Sequence, residues 1–316
     1  MKHTNCGTFH LLLNVRGLVC FVDDDTDYLQ AMEQAYRGAR PAISYCRPAE
    51  AATRLAMDNE RLVEQERALA QIFAGDDITA RIRQLFAWLM DTRRHEFVEV
   101  CFSDDAMPDE VGTQLLAKIP RSRIRRVLLT GVADLADAVQ ALNSGQIDAF
   151  LPKSDPQLMA KIRTYADYGP ILQVDFLWRE LSQVVRNLFE QADFRSALWA
   201  KLRSLGVEEH ILLPMPLGLL CRTAAGKGLW IQFEDRETQL GAAEILRGLG
   251  WSEGDLAPIV HGEMTACLEV LPALRGVEVD LGWADITVIN SEPWLGMAVF
   301  ELPENGQESI PSDQCT

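Results

Sequence analysis

Four short runs of largely apolar residues constrain the fold of the first half of this chain more than any other feature. They cover residues 18–22, 98–102, 127–129 and 149–151. Continuous apolar runs of this length are typical of strands that are buried on both faces, as in a parallel sheet. Segments with helical character lie between them, among them residues 112–119 and 134–143. Because strands and helices alternate, the pattern predicts an α/β fold with a doubly wound parallel sheet.

Acidic residues follow two of these runs. Asp23 and Asp24 come directly after residues 18–22, and Asp104 lies two residues after residues 98–102. In such a sheet the chemistry collects at the carboxyl ends of the strands, so we expect the three carboxylates to converge at one edge. Clustered carboxylates repel one another unless a cation neutralises them. Carboxylate oxygens with room for water suit Mg²⁺, so the sequence predicts a magnesium site.

The other two runs end at residues that suit a phosphoryl group. Thr130 follows residues 127–129 and offers a hydroxyl, whereas Lys153 follows residues 149–151 after one proline and offers a compact ammonium group. Both groups can hold phosphoryl oxygens beside a metal, where charge builds up during transfer. A carboxylate in that setting can itself be the nucleophile and form an aspartyl-phosphate.

This ordered set resembles the receiver domain of two-component response regulators, which has a flavodoxin-like fold. The resemblance covers about residues 16–168, and its most specific part is the segment Ser-Asp-Asp-Ala-Met-Pro at 103–108, followed by Gly112. It implies the following roles: an acidic pair at Asp23 and Asp24, a phosphoacceptor at Asp104, a switch hydroxyl at Thr130, an aromatic switch at Phe150 and a phosphate-binding lysine at Lys153.

The resemblance also implies a cofactor and partners. The three acids would bind Mg²⁺, and a sensor histidine kinase or a phosphotransfer protein would donate the phosphoryl group. Receiver domains of this family phosphorylate and dephosphorylate themselves, and we expect no other catalysis. Phosphorylation would move Thr130 and Phe150 and thereby favour a homodimer through the fourth helix, fifth strand and fifth helix of the receiver.

Two details test the resemblance. Successive side chains on a strand point in opposite directions, so only one of Asp104 and Asp105 can face the site, and the spacing to Met107 and Pro108 selects Asp104. Ser154 follows the lysine where the family usually has a cis proline. Because a cis peptide before serine costs about 2.5–4 kcal/mol, we expect a trans bond there.

The expected domain boundaries follow from changes in pattern along the chain. Residues 1–168 would form the receiver, with a helical insertion at about 49–94 that is rich in strong helix formers and broken near Gly75. Either an amphipathic helix pair covers the sheet there, or the insertion is a docking surface for a partner. Residues 169–205 read as a helical linker and residues 206–316 as an α+β output domain.

The expected output domain lacks the motifs of the common output enzymes. Its strand-like runs resemble the hairpin layout of nucleotidyltransferase-like domains, but Trp230 and Gln232 stand where that family has two metal-binding acids, leaving Asp280 and Asp285 as candidates. A group of quorum-sensing response regulators, the Lqs type, is similar in layout. A nucleotide-binding output therefore remains open as an alternative, as does an atypical DNA-binding transcriptional regulator.

Charge and composition exclude several classes of protein. The chain has 30 Lys and Arg against 46 Asp and Glu, and residues 206–316 alone have 5 against 18, so tight binding to nucleic acid is not expected. Its seven scattered cysteines form no CxxC pair, which favours reduced thiols in the cytoplasm. No apolar run approaches the roughly 20 residues that span a bilayer. The sequence thus predicts a cytoplasmic response regulator that acts through protein contacts.

Overall fold

The computed structural model describes residues 11–36, 40–119, 122–131, 135–276, 281–291 and 294–303. The chain divides into two compact units. The parallel-sheet unit comprises Val15–Ala70 and Thr92–Gln173, and the antiparallel-sheet unit comprises Met1–Asn14, Gln71–Asp91 and Val174–Thr316.

The strands, in chain order, are β1 (Leu13–Asn14), β2 (Leu18–Val22), β3 (Ala42–Tyr45), β4 (Val98–Asp104), β5 (Arg125–Thr130), β6 (Ala149–Pro152), β7 (Val207–Pro214), β8 (Leu217–Thr223), β9 (Gly228–Glu234), β10 (Met264–Cys267), β11 (Gly282–Asp285), β12 (Thr287–Ser291) and β13 (Trp294–Glu301).

The helices, in chain order, are α1 (Thr26–Ala35), α2 (Pro48–Ala74), α3 (Ile78–Met90), a 3₁₀ helix (Thr92–Glu96), α4 (Gly112–Ala117), α5 (Leu135–Asn143), α6 (Leu158–Asp167), α7 (Asp175–Glu180), α8 (Gln183–Glu190), α9 (Ala192–Ser204), α10 (Arg236–Gly248), α11 (Glu253–His261) and α12 (Val270–Arg275). Among the helices of the described residues, none is both long enough and apolar enough to cross a membrane.

The parallel-sheet unit has five strands in the order β3-β2-β4-β5-β6, and all neighbouring strands are parallel. Side chains from alternate positions of β2 enter separate cores: Cys20 and Val22 pack on one face of the sheet, Val19 and Phe21 on the other. Both faces are buried, which explains why this strand is a continuous apolar run. The structure confirms the predicted flavodoxin-like, doubly wound fold.

The sequence analysis missed one strand of this sheet. β3 lies at its edge, and each of its residues is only half-buried. An edge strand with one partner needs no unbroken apolar run, so its short sequence Ala-Ile-Ser-Tyr gave no clear pattern.

The predicted insertion contains two helices, α2 and α3, which end and begin around Gly75 as expected. Asp58 attaches α2 to the parallel sheet. Its carboxylate is fully buried, and one oxygen accepts hydrogen bonds from the backbone N–H of Val98 at 2.9 Å and from Nε of Arg54 at 2.6 Å. The first strand residue of β4 therefore depends on a side chain from the insertion.

The division into units differs from the predicted domain boundaries. α3 groups with the antiparallel-sheet unit because its buried stripe packs against β7, β8 and α12; this stripe consists of Ile82, Leu85, Phe86 and Leu89. Residues 174–205, expected as a linker, form α7, α8 and α9 in the same unit, with α9 packed on β7. Helical periodicity shows which face is buried but not which sheet covers it.

The antiparallel-sheet unit is α+β, as predicted. Its main sheet has the strand order β1-β7-β8-β9-β13-β12, and β10 pairs with β11 in a second, two-stranded sheet. The helical pattern in the sequence between these strands, at 237–249, corresponds to α10, whereas α11 and α12 are present as well. One further strand-like run of the sequence, at 277–281, lies almost entirely outside the described residues.

We predict that replacing Asp58 with alanine lowers the free energy of unfolding by about 2–4 kcal/mol, because it leaves the Val98 N–H and the Arg54 guanidinium without their acceptor. Urea unfolding followed by circular dichroism measures the loss. Glu64→Ala, at an exposed position of the same helix, is the control and should change stability by less than about 0.5 kcal/mol. Equal effects of the two substitutions would contradict the proposed anchoring role.

Candidate functional site

The parallel strands bring three predicted acids together. Asp23 follows β2, and Asp104 is the last residue of the neighbouring strand β4. One carboxylate oxygen from each of Asp23, Asp24 and Asp104 lies within 4.8 Å of the others. Asp23 and Asp104 are buried, whereas Asp24 is exposed. The described residues contain no other group of three acidic, histidine or cysteine side chains close enough to share a metal ion.

Lys153 bridges the two buried acids. Its Nζ lies 2.7 Å from Oδ2 of Asp23 and 2.7 Å from Oδ1 of Asp104. Burial by itself would lower the pKa of Lys153, but the hydrogen bonds to Asp104 and Asp23 outweigh this effect and raise it. The lysine is therefore held in its charged form between the two carboxylates.

Burial has the opposite consequence for Asp23. Its pKa is raised, first by burial and further by the nearby Asp104 charge, although hydrogen bonds from Lys153 and the Asp25 backbone act against the shift. Burial thus makes the ionised form of Asp23 less favourable than it would be in water, and the charge on Asp104 adds to this effect. Additional positive charge would favour the ionised form of this carboxylate.

The neighbouring acid, Asp105, makes a different contact, with the start of the next helix. Its carboxylate accepts a hydrogen bond from the backbone N–H of Thr113 at 3.3 Å, near the start of α4. Gly112 begins this helix against the end of β4, where a Cβ atom would lie 1.9 Å from the carbonyl oxygen of Asp104. Only glycine allows this close approach, which accounts for its place in the motif. Asp104, not Asp105, lies in the acid group.

Asp25 stabilises the turn between β2 and α1, which carries the acidic pair. It is the N-cap of α1, and its carboxylate accepts hydrogen bonds from the backbone N–H groups of Asp27 and Tyr28. Its own N–H donates to Oδ1 of Asp23 at 2.9 Å. This cap fixes the turn that carries the acidic pair.

The two predicted switch residues lie on neighbouring strands. Thr130 ends β5 fully buried, and its hydroxyl donates to the carbonyl oxygen of Gly131 at 3.1 Å. The backbone carbonyl of Thr130 accepts a hydrogen bond from the backbone N–H of Lys153 at 2.8 Å. This bond links the end of β5 to the lysine. Phe150, on β6, is half-buried and packs against the core on one face of the sheet.

The loop after Lys153 matches the expectation from the sequence. The peptide bond between Lys153 and Ser154 is trans; among the described residues the cis bond is that between Met215 and Pro216.

Sequence reasoning missed one residue of this site. Helical spacing places Tyr28 on the same side of α1 as the buried Met32, which is typical of a core residue. In the structure its ring lies against Lys153, with Nζ 4.4 Å from the ring centroid. Burial raises the pKa of Tyr28, while the Lys153 charge acts against this shift. An aromatic residue one helical turn after an acidic pair was the available signal.

In the antiparallel-sheet unit, the buried acid Glu234 accepts hydrogen bonds from neutral side chains. Trp230 and Gln232 project from one face of β9, and Trp230 Nε1 donates to Gln232 Oε1 at 2.9 Å. Gln232 Nε2 and Thr265 Oγ1 both donate to the same oxygen of Glu234, at 2.6 Å each. This buried chain of neutral donors stands where a nucleotidyltransferase-like site was considered. Asp285 is exposed on β11, and Asp280 lies outside the described residues.

Comparison with known proteins agrees with this geometry at the level of the fold. No protein-family model and no curated protein matches the chain. Among solved structures, the response regulator LqsR of Legionella pneumophila is 21% identical with a TM-score of 0.65, and the similarity covers 92% of this chain and 89% of that chain. A CheY-like receiver domain from Methanospirillum hungatei JF-1 is 22% identical, covering 48% of this chain and 95% of that chain with a TM-score of 0.33. Over nearly its whole length, this chain therefore has the fold of a response regulator with a receiver domain.

Proposed function

We propose that this protein is a two-component response regulator that accepts a phosphoryl group on Asp104. The observation that carries the proposal is the group of three carboxylates in which Lys153 holds one oxygen of Asp104 at 2.7 Å. A nucleophilic carboxylate next to a fixed ammonium group is the arrangement that phosphoryl transfer to an acid requires.

The acid group fits a magnesium ion. Asp23, Asp24 and Asp104 offer three hard oxygen donors, and the exposure of Asp24 leaves a route for the water molecules that Mg²⁺ usually keeps. Bound there, Mg²⁺ would neutralise charge on the phosphoryl oxygens as it develops during transfer. The raised pKa of Asp23 supports a demand for positive charge at this point.

The transfer step assigns a role to each residue. A carboxylate oxygen of Asp104 attacks the phosphorus of a phosphohistidine on a sensor kinase or phosphotransfer protein. The new O–P bond forms as the P–N bond breaks, and its electron pair stays on the imidazole nitrogen. Lys153 donates hydrogen bonds to the phosphoryl oxygens, and Thr130 turns its hydroxyl from the carbonyl of Gly131 towards them.

The same movement provides a switch. Turning Thr130 inward opens space that Phe150 can enter, and this reshapes the surface formed by α5, β6 and α6. Two large apolar residues of α5, Leu135 and Val139, are already 46% and 42% exposed one turn apart. They support a dimer contact on this face between two phosphorylated copies.

The output is proposed to act through protein contacts in the cytoplasm. Residues 206–316 are strongly acidic, which disfavours nucleic acid as the target. The likeness of fold to LqsR extends the proposal to signal transduction of the Lqs quorum-sensing type.

Incubation with acetyl phosphate and Mg²⁺ should add one phosphoryl group to Asp104, since this carboxylate is held by Lys153 in the acid group. Intact-mass measurement followed by peptide mapping detects the product. Asp104→Ala should remain unmodified, whereas the matched control Asp105→Asn should still be phosphorylated. Full modification of Asp104→Ala would overturn the assignment of the acceptor.

Beryllofluoride, which mimics the phosphoryl group on a carboxylate, should convert the monomer to a dimer. Size-exclusion chromatography with light scattering measures the change in mass. Val139→Glu should stay monomeric with beryllofluoride, because it places a charge in the α5 contact, while its phosphorylation by acetyl phosphate remains normal. An unchanged mass of the unsubstituted protein under both conditions would rule out dimerisation as the switch.

A further inference from the structure

Tyr28 lies against the charged end of Lys153, and no role in the proposed chemistry accounts for it so far. The 4.4 Å between Nζ and the ring centroid is well within the roughly 6 Å over which a cation is attracted to an aromatic face. Among the described residues, Lys153 thus contacts Asp23, Asp104 and this ring.

The ring, and not the hydroxyl, makes the contact. The Tyr28 hydroxyl is buried and has no hydrogen-bond partner among the described residues. The backbone that carries the ring is fixed, because Asp25 caps α1 by accepting the backbone N–H of Tyr28 at 3.0 Å. The aromatic face is therefore presented to the lysine by a capped helix turn.

The lysine needs this support. Its four-carbon stem is flexible, and its two other contacts are carboxylates that would also serve a metal ion. If Asp23 served as a ligand to a bound cation, the ammonium group would lose one of its anchors. The aromatic ring does not compete for the metal and continues to hold the ammonium near Asp104.

We propose that Tyr28 is a positioning residue whose ring face keeps the ammonium group of Lys153 at the oxygen of Asp104. This inference rests on the proposed phosphoryl transfer, which it extends by one residue that acts through the lysine. In this proposal, a side chain of α1, Tyr28, positions the lysine that follows β6.

The test compares three variants in two measurements. Tyr28→Phe keeps the ring, and Tyr28→Leu removes it but keeps an apolar side chain. Tyr36→Leu is the matched control, because it removes a buried ring that follows the same helix and packs on Phe21 instead. One measurement is the rate of phosphorylation by acetyl phosphate with Mg²⁺. The other is the rate at which an amine-specific reagent labels Lys153, relative to Lys161, without Mg²⁺ or a phosphoryl donor.

Tyr28→Leu should slow phosphorylation by about 3- to 30-fold, the range expected for one partly desolvated cation–π contact, and should speed the labelling of Lys153. Tyr28→Phe should match the unsubstituted protein in both measurements, and Tyr36→Leu should leave the labelling ratio unchanged. The proposal is overturned if Tyr28→Leu behaves like the unsubstituted protein, or if Tyr28→Phe is impaired as strongly, since the hydroxyl would then carry the effect.

The two proposals fail in different ways. If the unsubstituted protein takes no phosphoryl group, the proposed function fails, yet the labelling of Lys153 still reports whether the ring holds the lysine. If phosphorylation occurs and the labelling ratio is the same in all variants, the response-regulator chemistry stands and only the role of Tyr28 is rejected.

Discussion

The candidate site at the end of the parallel sheet has more negative than positive charge, and its other features depend on this imbalance. Asp23, Asp24 and Asp104 bring three carboxylates together, and within the described residues Lys153 supplies one ammonium group against them. Two of the acids are buried, where an unpaired charge is costly. A cation that reached the group from its exposed side, at Asp24, would reduce this cost.

The imbalance exists only because the sheet is parallel and its strands are buried on both faces. β2 and β4 are neighbouring parallel strands that end at the same edge of the sheet. Asp23 and Asp104 therefore lie close together without any contact between the loops that follow the two strands. Gly112 then lets α4 begin directly on the carbonyl of Asp104. A substitution that shifts the register of β4 would separate the acids even if every site residue were retained.

The sequence allowed the parallel fold and the convergence of the acids to be predicted because both follow from short-range patterns. Apolar runs such as residues 18–22 identify buried strands, and alternation along a strand separates Asp104 from Asp105. The grouping of α3 with the second unit could not be predicted, since periodicity reveals an apolar stripe but not its partner. Tyr28 was missed for a related reason: its spacing fits a core position, and only the structure shows an ammonium group against its ring.

Glu234 in the antiparallel-sheet unit and the pair Asp23 and Asp104 in the parallel-sheet unit are stabilised in contrasting ways. Glu234 is 3% exposed, but Gln232 and Thr265 donate neutral hydrogen bonds to it. Neutral donors stabilise the carboxylate of Glu234 without a counter-ion, whereas Asp23 and Asp104 are held by a cation. Asp23 and Asp104 instead share the ammonium group of Lys153. A group that must exchange partners during a reaction is better held by such a contact than by a closed hydrogen-bonded network, which rigidifies the groups it satisfies.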